Sequence, residues 1–346
     1  MKICVIGGGN LGTLIAAECA AKGHEVVLAV SDPEHWNGEL SVWDAQETCL
    51  LRARVASVTN RPEQAVQGAD MVFITYPASM FRALAQQLLG TVQPGQWLVV
   101  VPGSGGAQEA FEPLTDAGAV LLGMQRVHCI ARVRKRGDSV YALGRKPLLK
   151  AGAVPSDQAE RGSHLLEALF DIPCQPLPNY LSVTLSPSNP ILHTSRLYAM
   201  FRDWKPGVVY PRCPLFYEDW DDEASELLFR CDDELQKLCA TIPDDLSSVQ
   251  SLKEYYESPT VPAMTNKIRS IPAFRDILSP MKRVEGGWEP DFSSRYFSAD
   301  FPFGLKILTD LASKWNVAAP TMNEIWNWYL RCTEQLQAAQ GEEKKR

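Results

Sequence analysis

The 346-residue sequence has little excess of basic residues, although its last three positions, Lys344, Lys345 and Arg346, are all basic. A nucleic-acid binder concentrates lysine and arginine on one face. Here 34 Lys and Arg stand against 41 Asp and Glu, a net charge of −7, so no nucleic acid is expected as a partner. No apolar run approaches the ~20 residues of a membrane span, and the apolar start, Ile3 to Ile6, is too short for a secretory leader; no membrane is expected. The nine cysteines are scattered, odd in number and never form a CxxC pair. That argues against a disulfide framework or a zinc site and for reduced thiols. The expected location is cytoplasmic and the expected metal is none. Internal repeats and low-complexity stretches are also missing. What remains is 45% hydrophobic and 22% charged residues, the composition of a globular protein, in a chain too long for one ordinary core. Two domains are the prior.

The most informative stretch is Met1 to Gly12. An apolar strand, Lys2–Ile6, runs into Gly7-x-Gly9-x-x-Gly12 and then into an alanine-rich helix, Asn10–Lys22. Such a turn cradles a pyrophosphate: Gly7 permits the turn, Gly9 lets the backbone approach the phosphates, and Gly12 lets the helix pack close to the strand. The helix N-terminus adds N–H donors and the positive end of its dipole. Asn10 and Leu11 fall in the same phosphate loop and join the expected cofactor-binding residues.

From there to about residue 180, strands alternate with helices. Glu25–Val30, Arg52–Val58, Asp70–Tyr76, Gln96–Val101, Ala119–Met124 and Ser139–Leu143 read as strands, with a possible helix in the polar stretch Trp36–Cys49. Alternation of this kind means a doubly wound parallel sheet, a Rossmann-type domain over 1–180. Helical patterns dominate afterwards: Asp221–Cys239, Ser247–Tyr256, Pro272–Leu278, Gly304–Trp315 and Thr321–Ala338. An all-α domain is expected over 181–338, with a polar, disordered tail at 339–346.

Several groups could carry chemistry. An acid at the end of strand two binds the ribose hydroxyls of NAD, whereas a nearby arginine suits the 2′-phosphate of NADP. Asp32 lies one or two residues beyond the usual place, and no Arg or Lys occurs between Ser31 and Leu50. NAD(H) is favoured, NADP(H) remains open, and Asp32 as a loop cap is nearly an equal reading. Tyr76 and Pro77, and Gly103-Ser-Gly-Gly106, follow buried strands at their carboxyl ends, where ligands bind in such sheets. Of five histidines, His193 stands out. It lies just past the junction of the expected domains, in a first helical turn begun by Asn189 and Pro190. Late in the chain, Arg295-Tyr-Phe-Ser-Ala-Asp300-Phe-Pro302-Phe-Gly304 holds a guanidinium that could grip a carboxylate and an acid that could orient an imidazole. From spacing alone, a local Arg295–Asp300 salt bridge with Asp300 capping the next helix is the simpler reading. The acidic run at Asp219, Asp221 and Asp222 could favour a basic substrate, but reads more simply as a helix start.

Taken together, Gly7-x-Gly9-x-x-Gly12, Asn189-Pro190-x-x-His193 and Arg295-x-x-x-x-Asp300-x-Pro302-x-Gly304 resemble the opine dehydrogenase family, the octopine/nopaline dehydrogenases, in order and in separation. The resemblance implies that His193 is the acid–base group, Asp300 its partner, and Arg295, with Asn189, part of substrate binding. It also implies a Rossmann domain followed by a helical one, and a reaction that joins an amino acid to a 2-oxo acid such as pyruvate with hydride from NAD(P)H. The expected partners are thus small-molecule substrates, with a homodimer as an open assembly. One departure is the end of strand two, which lacks a well-placed acid. Two rivals stand beside this reading: a 2-hydroxy-acid or ketopantoate-type reductase of the same build, and a non-catalytic dinucleotide sensor that would need no His–Asp–Arg set.

Overall fold

The computed structural model describes residues 1–343. The chain divides into two compact units, Met1–Pro187 and Ser188–Arg346.

The first unit is built on an eight-stranded sheet. Its spatial order is Cys174–Pro176, Leu149–Val154, Val120–Met124, Trp97–Val100, Met71–Ile74, Lys2–Ile6, Glu25–Ala29 and Ser57–Thr59. The six strands from Ser57–Thr59 to Val120–Met124 are parallel, as their near-continuous apolar runs require when both faces are covered. The last two pair parallel with each other but run antiparallel to that block. Lys2–Ile6 lies between Glu25–Ala29 and Met71–Ile74, where the strand order reverses. The carboxyl end of this strand is therefore the position at which doubly wound sheets bind ligands.

A second sheet of four strands, in the order Cys49–Arg54, Glu39–Trp43, Ser139–Arg145 and Cys129–Lys135, corrects the sequence reading at three places. The stretch Trp36–Cys49 holds a strand, not a helix. Leu40 and Val42 alternate inward, and Asp44 closes the hairpin by accepting the Gln46 and Thr48 N–H groups at 2.9 and 2.8 Å. The strand expected over Arg52–Val58 is two strands in different sheets, Cys49–Arg54 and Ser57–Thr59. Ser139–Leu143 belongs to the small sheet rather than the large one. The helix Asn10–Ala21 lies between the two sheets, which accounts for its uniformly apolar surface: Gly12 to Cys19 are all buried. An amphipathic surface helix would bury one stripe only. The one acid in that run, Glu18, is held by His128 Nε2 and Arg145 Nη1, each at 2.7 Å.

The second unit packs the helices Asn189–Phe201, Asp222–Thr241, Val261–Ser270, Lys306–Lys314 and Pro320–Glu343 around aromatic side chains, among them Phe201, Phe216, Trp220, Phe297 and Phe301. Caps set the ends. Asp221 accepts the Ala224 N–H at 2.9 Å, and buried Glu234 accepts the N–H groups of Thr321 and Met322. The unit is not wholly helical: Met281–Val284 and Gly287–Pro290 form a hairpin. The helix expected over Pro272–Leu278 is a single 3₁₀ turn, Pro272–Phe274, because Ile277 and Leu278 pair in extended form with Phe216 and Leu215. The helix expected over Ser247–Tyr256 shrinks to Leu252–Tyr255, started by a Ser251–Glu254 capping box. Of the tail expected to be disordered, 339–343 continue the last helix, and 344–346 lie outside the described residues. No helix among the described residues is long and apolar enough to cross a membrane.

Candidate active site

In the first unit the glycine loop has the shape its motif demands. Gly7 has φ +112°, open to glycine alone, and a Cβ there would meet Thr75 Oγ1 at 2.5 Å. At Gly12 a Cβ would lie 1.7 Å from the Gly7 carbonyl oxygen, so helix and strand touch backbone to backbone. At Gly9 the opposite holds: a Cβ would meet nothing within 4 Å. The open side of the loop is at Gly9, the N-cap of Asn10–Ala21, whose first turn no side chain caps. An open, uncapped helix N-terminus after a parallel strand fits the pyrophosphate of a dinucleotide. Asn10 Oδ1 accepts the Val133 N–H at 2.7 Å and the Leu11 side chain packs on the core. These two residues can therefore offer their backbone N–H groups, not their side chains. Thr75 Oγ1 donates to the Ile6 carbonyl at 3.0 Å, tying the end of the neighbouring strand to the loop; half-buried Tyr76 and exposed Pro77 follow it.

Asp32 sits at the start of a 3₁₀ turn, Pro33–His35, just beyond the second strand. The sequence offered no nearby arginine, but the fold supplies one. Arg136, 104 positions away at the tip of the Cys129–Lys135/Ser139–Arg145 hairpin, donates from Nε and Nη2 to Asp32 Oδ2, each at 2.8 Å. That pairing holds the Asp32 carboxyl below the usual carboxylate range. The tip reaches this place because Gly137, at φ +75°, lies against the His35 carbonyl, where a Cβ would come within 2.1 Å.

In the second unit, His193 and Asp300 are neighbours. His193 Nδ1 and Asp300 Oδ2 are 2.8 Å apart, although 107 positions separate them. The contact between Pro190 and Gly304 explains how. A Cβ on Gly304 would lie 2.9 Å from Pro190 Cγ, so only glycine lets the turn Phe301–Leu305, a single π-helical turn, seat against the start of Asn189–Phe201. The Pro-x-x-His and Asp-x-Pro-x-Gly spacings are two halves of that one contact. It replaces the simpler reading of Asp300: the residue makes no side-chain cap, and its ion-pair partner is His193 rather than Arg295. Arg295 is exposed at the start of Arg295–Ser298, with no ion pair among the described residues; Asn189 is also exposed. Asp221 caps the helix Asp222–Thr241 and binds Arg196 Nη1 at 2.6 Å, which is the helix-start reading of the acidic run.

The sequence reading missed Tyr217 and Tyr296. The Tyr217 hydroxyl lies 2.8 Å from His193 Nε2, and the Tyr296 ring centroid is 4.6 Å from that of His193. Tyr296 falls inside the late motif and could have been weighed there. Tyr217 carries no spacing signal of its own. Arg136 was beyond the reach of any local pattern.

Residues 176–332 match the family model for the α-helical domain of NAD/NADP octopine/nopaline dehydrogenases, and residues 2–101 match that for coenzyme F420-dependent NADP oxidoreductases. The chain is 26% identical to the octopine dehydrogenase of Pecten maximus over 95% of its own length and 89% of that protein's. It is also 26% identical to the opine dehydrogenase of Haliotis discus hannai, over 97% and 90%. A solved structure of octopine dehydrogenase with NADH and pyruvate superposes with a TM-score of 0.83 at 25% identity, covering 95% of this chain and 88% of that one. The glycine cradle, the helical second unit and the near full-length likeness agree: the chain is similar throughout to the opine dehydrogenases, NAD(P)-dependent oxidoreductases acting on CH–NH bonds.

Proposed function

We propose that this protein joins the amine of an amino acid to the carbonyl of a 2-oxo acid, such as pyruvate, and reduces the resulting imine to a secondary amine with two carboxylates. The observation that carries this reading is the 2.8 Å contact between His193 and Asp300. Attack of an amine on a carbonyl and loss of water need a proton donor and acceptor working near neutral pH, and imidazole is the side chain suited to that range. Asp300 accepts from Nδ1–H, fixes the ring tautomer and stabilises the imidazolium. His193 is then the acid that protonates the departing oxygen and the base that receives a proton from the amine. Arg295, exposed and without an ion pair among the described residues, is suited to hold a substrate carboxylate by two parallel hydrogen bonds. Exposed Asn189, at the start of the same helix as His193, is its companion in substrate binding.

Gly7, Gly9 and Gly12, with the backbone N–H groups of Asn10 and Leu11, would hold the dinucleotide's pyrophosphate; Tyr76 and Pro77 would flank it, and Asp32 would take the ribose hydroxyls. A bound reduced nicotinamide would supply the hydride. Asp32 supports a preference for NAD(H), while Arg136 beside it keeps NADP(H) within reach. The test crosses amino acids with 2-oxo acids and follows NADH and NADPH consumption. The expected result is an absolute need for both substrates. Oxidation with a 2-oxo acid alone would favour a 2-hydroxy-acid or ketopantoate-type reductase instead.

A further inference from the structure

The stretch Arg132-Val-Arg-Lys-Arg136 leads into the tip of the hairpin Cys129–Lys135/Ser139–Arg145 with four basic residues. Three of them are committed beside the hairpin itself. Arg132 Nη1 donates to the Ala131 carbonyl at 2.9 Å, and Lys135 pairs with Asp138 at 3.6 Å. Arg134 donates to Glu47 Oε2 at 3.1 and 3.0 Å and lies over the Trp43 ring at 4.3 Å. Arg136 turns away from the hairpin, to Asp32 just past the end of the second strand.

The tip is held there by backbone. The Val133 N–H donates to Asn10 Oδ1 at 2.7 Å, which ties the hairpin to the first residue of the phosphate-loop helix. Gly137 lies against the His35 carbonyl, and the Asp138 carbonyl accepts the Ser41 N–H at 3.0 Å. None of these contacts uses the Arg136 side chain, so the guanidinium can change partner while the tip stays in place.

Donors from two remote segments converge on the Asp32 carboxylate. Ser31 Oγ donates to Oδ1 at 3.2 Å, Arg136 Nε and Nη2 donate to Oδ2 at 2.8 Å each, and His35 Nδ1 lies 3.4 Å from the same oxygen. Asp32 is therefore the internal occupant of an anion-holding set. That set lies beyond the second parallel strand, the place at which the adenosine ribose of a dinucleotide is read. The two dinucleotides ask opposite things of it. Ribose hydroxyls are donors and suit the carboxylate. A 2′-phosphate is an acceptor of roughly −1.5 to −2 charge, which a carboxylate repels and a planar guanidinium grips with two parallel hydrogen bonds.

We propose that Arg136 is the residue that recognises the 2′-phosphate: it leaves Asp32 for the phosphate of NADP(H) and stays on Asp32 when NAD(H) is bound, so that one site takes both dinucleotides. This rests on the reading of the glycine loop as a dinucleotide cradle and deepens it, for it places the selecting residue on the inserted hairpin rather than on the loop after the second strand. The exchange trades one anion for another at a guanidinium that is 66% exposed, and Asp32 remains nearby as a like charge to the phosphate. The gain is therefore modest and screened by salt.

The experiment is a calorimetric titration of the full chain with NADPH and, separately, with NADH, in the absence of amino acid and 2-oxo acid. Arg136→Gln removes the charge from a side chain that no backbone contact of the tip requires. NADPH affinity is expected to fall about tenfold at low salt, with NADH affinity within about twofold. Arg136→Lys keeps the charge and loses the fork. It should fall between the two, and it decides the matter if Arg136→Gln does not fold. Unchanged NADPH affinity in whichever variant folds would overturn the proposal. So would an equal loss for both dinucleotides, which would mean that the tip had moved, or a wild-type chain that binds NADH and not NADPH. A wild-type chain that binds neither would remove the cradle reading together with the proposal. Because no substrate is present, failure of the coupling of amino acids to 2-oxo acids would leave the role of Arg136 standing.

Discussion

The dinucleotide cradle and the His193–Asp300 pair are built by opposite means. The cradle is almost entirely local and almost entirely backbone: Gly7, Gly9 and Gly12 lie within six positions of one another, and what matters at each is a missing side chain. The pair consists of two side chains 107 positions apart, made neighbours by one interhelical contact, Pro190 against Gly304. A local motif needs only a strand and a helix in sequence. A pair assembled at a distance needs a second motif that does nothing chemical but seats one element on another. Glycine serves both, by opposite routes. Gly12 and Gly304 admit close neighbours, whereas Gly9 leaves the open space a ligand's phosphates require.

The comparison breaks most cleanly by damaging each half alone. His193→Ala should lower turnover by about 100- to 10,000-fold, the usual contribution of a positioned acid–base group, and leave dinucleotide affinity within a factor of about two by fluorescence or calorimetric titration. Gly12→Ala should do the converse. Its Cβ would sit 1.7 Å from the Gly7 carbonyl, so the backbone must move, and dinucleotide affinity should fall by about 10- to 100-fold while Asp300 still pairs with His193. If His193→Ala abolished dinucleotide binding in a folded chain, the separation of roles would be wrong.

A smaller effect sharpens it. Gly304→Ala touches neither substrate nor cofactor in this reading, but its Cβ would press to 2.9 Å on Pro190 and displace the turn that carries Asp300. Turnover should drop by roughly 10- to 100-fold, because small misplacements of a catalytic group cost about that much, with dinucleotide affinity unchanged. Full activity in Gly304→Ala would show that the seating contact is incidental.

The smallest effect concerns the rim of the cradle. Asp32→Ala frees Arg136 from its partner, and the guanidinium then becomes available to a 2′-phosphate. The ratio of NADPH to NADH affinity should rise, by roughly tenfold or less because the pair is solvent-screened. A ratio that stays put would mean that Asp32 and Arg136 only hold the hairpin tip to the loop. Measured at high salt the shift should shrink further, as expected for exposed charges.

How much of this was legible beforehand follows the same division. The glycine loop, the parallel block of the large sheet and the long helices of the second unit could be read because each is announced by neighbours in the chain: apolar runs, a glycine spacing, a 3.6-residue period. The four-stranded sheet was misread at Trp36–Cys49 because its strand Glu39–Trp43 is short and half polar, and one of its two partners, Ser139–Arg145, pairs with it across 98 positions of chain. Only the uniformly apolar face of Asn10–Ala21 hinted that something covered that helix. His193 and Asp300 could be named from the spacing of Asn189-Pro190-x-x-His193 and Asp300-x-Pro302-x-Gly304. Spacing alone nevertheless favoured a local Arg295–Asp300 bridge, the reading the structure replaces.

The sequence by itself settled which residues could form a phosphate loop and which few could move a proton, since backbone freedom and side-chain chemistry are properties of single residues and their near neighbours. Tertiary structure alone decided that Arg136 meets Asp32, that Tyr217 stands on His193 Nε2, and that Asp300 takes Nδ1. Those contacts depend on distances through space between groups remote in the chain, which no local pattern encodes.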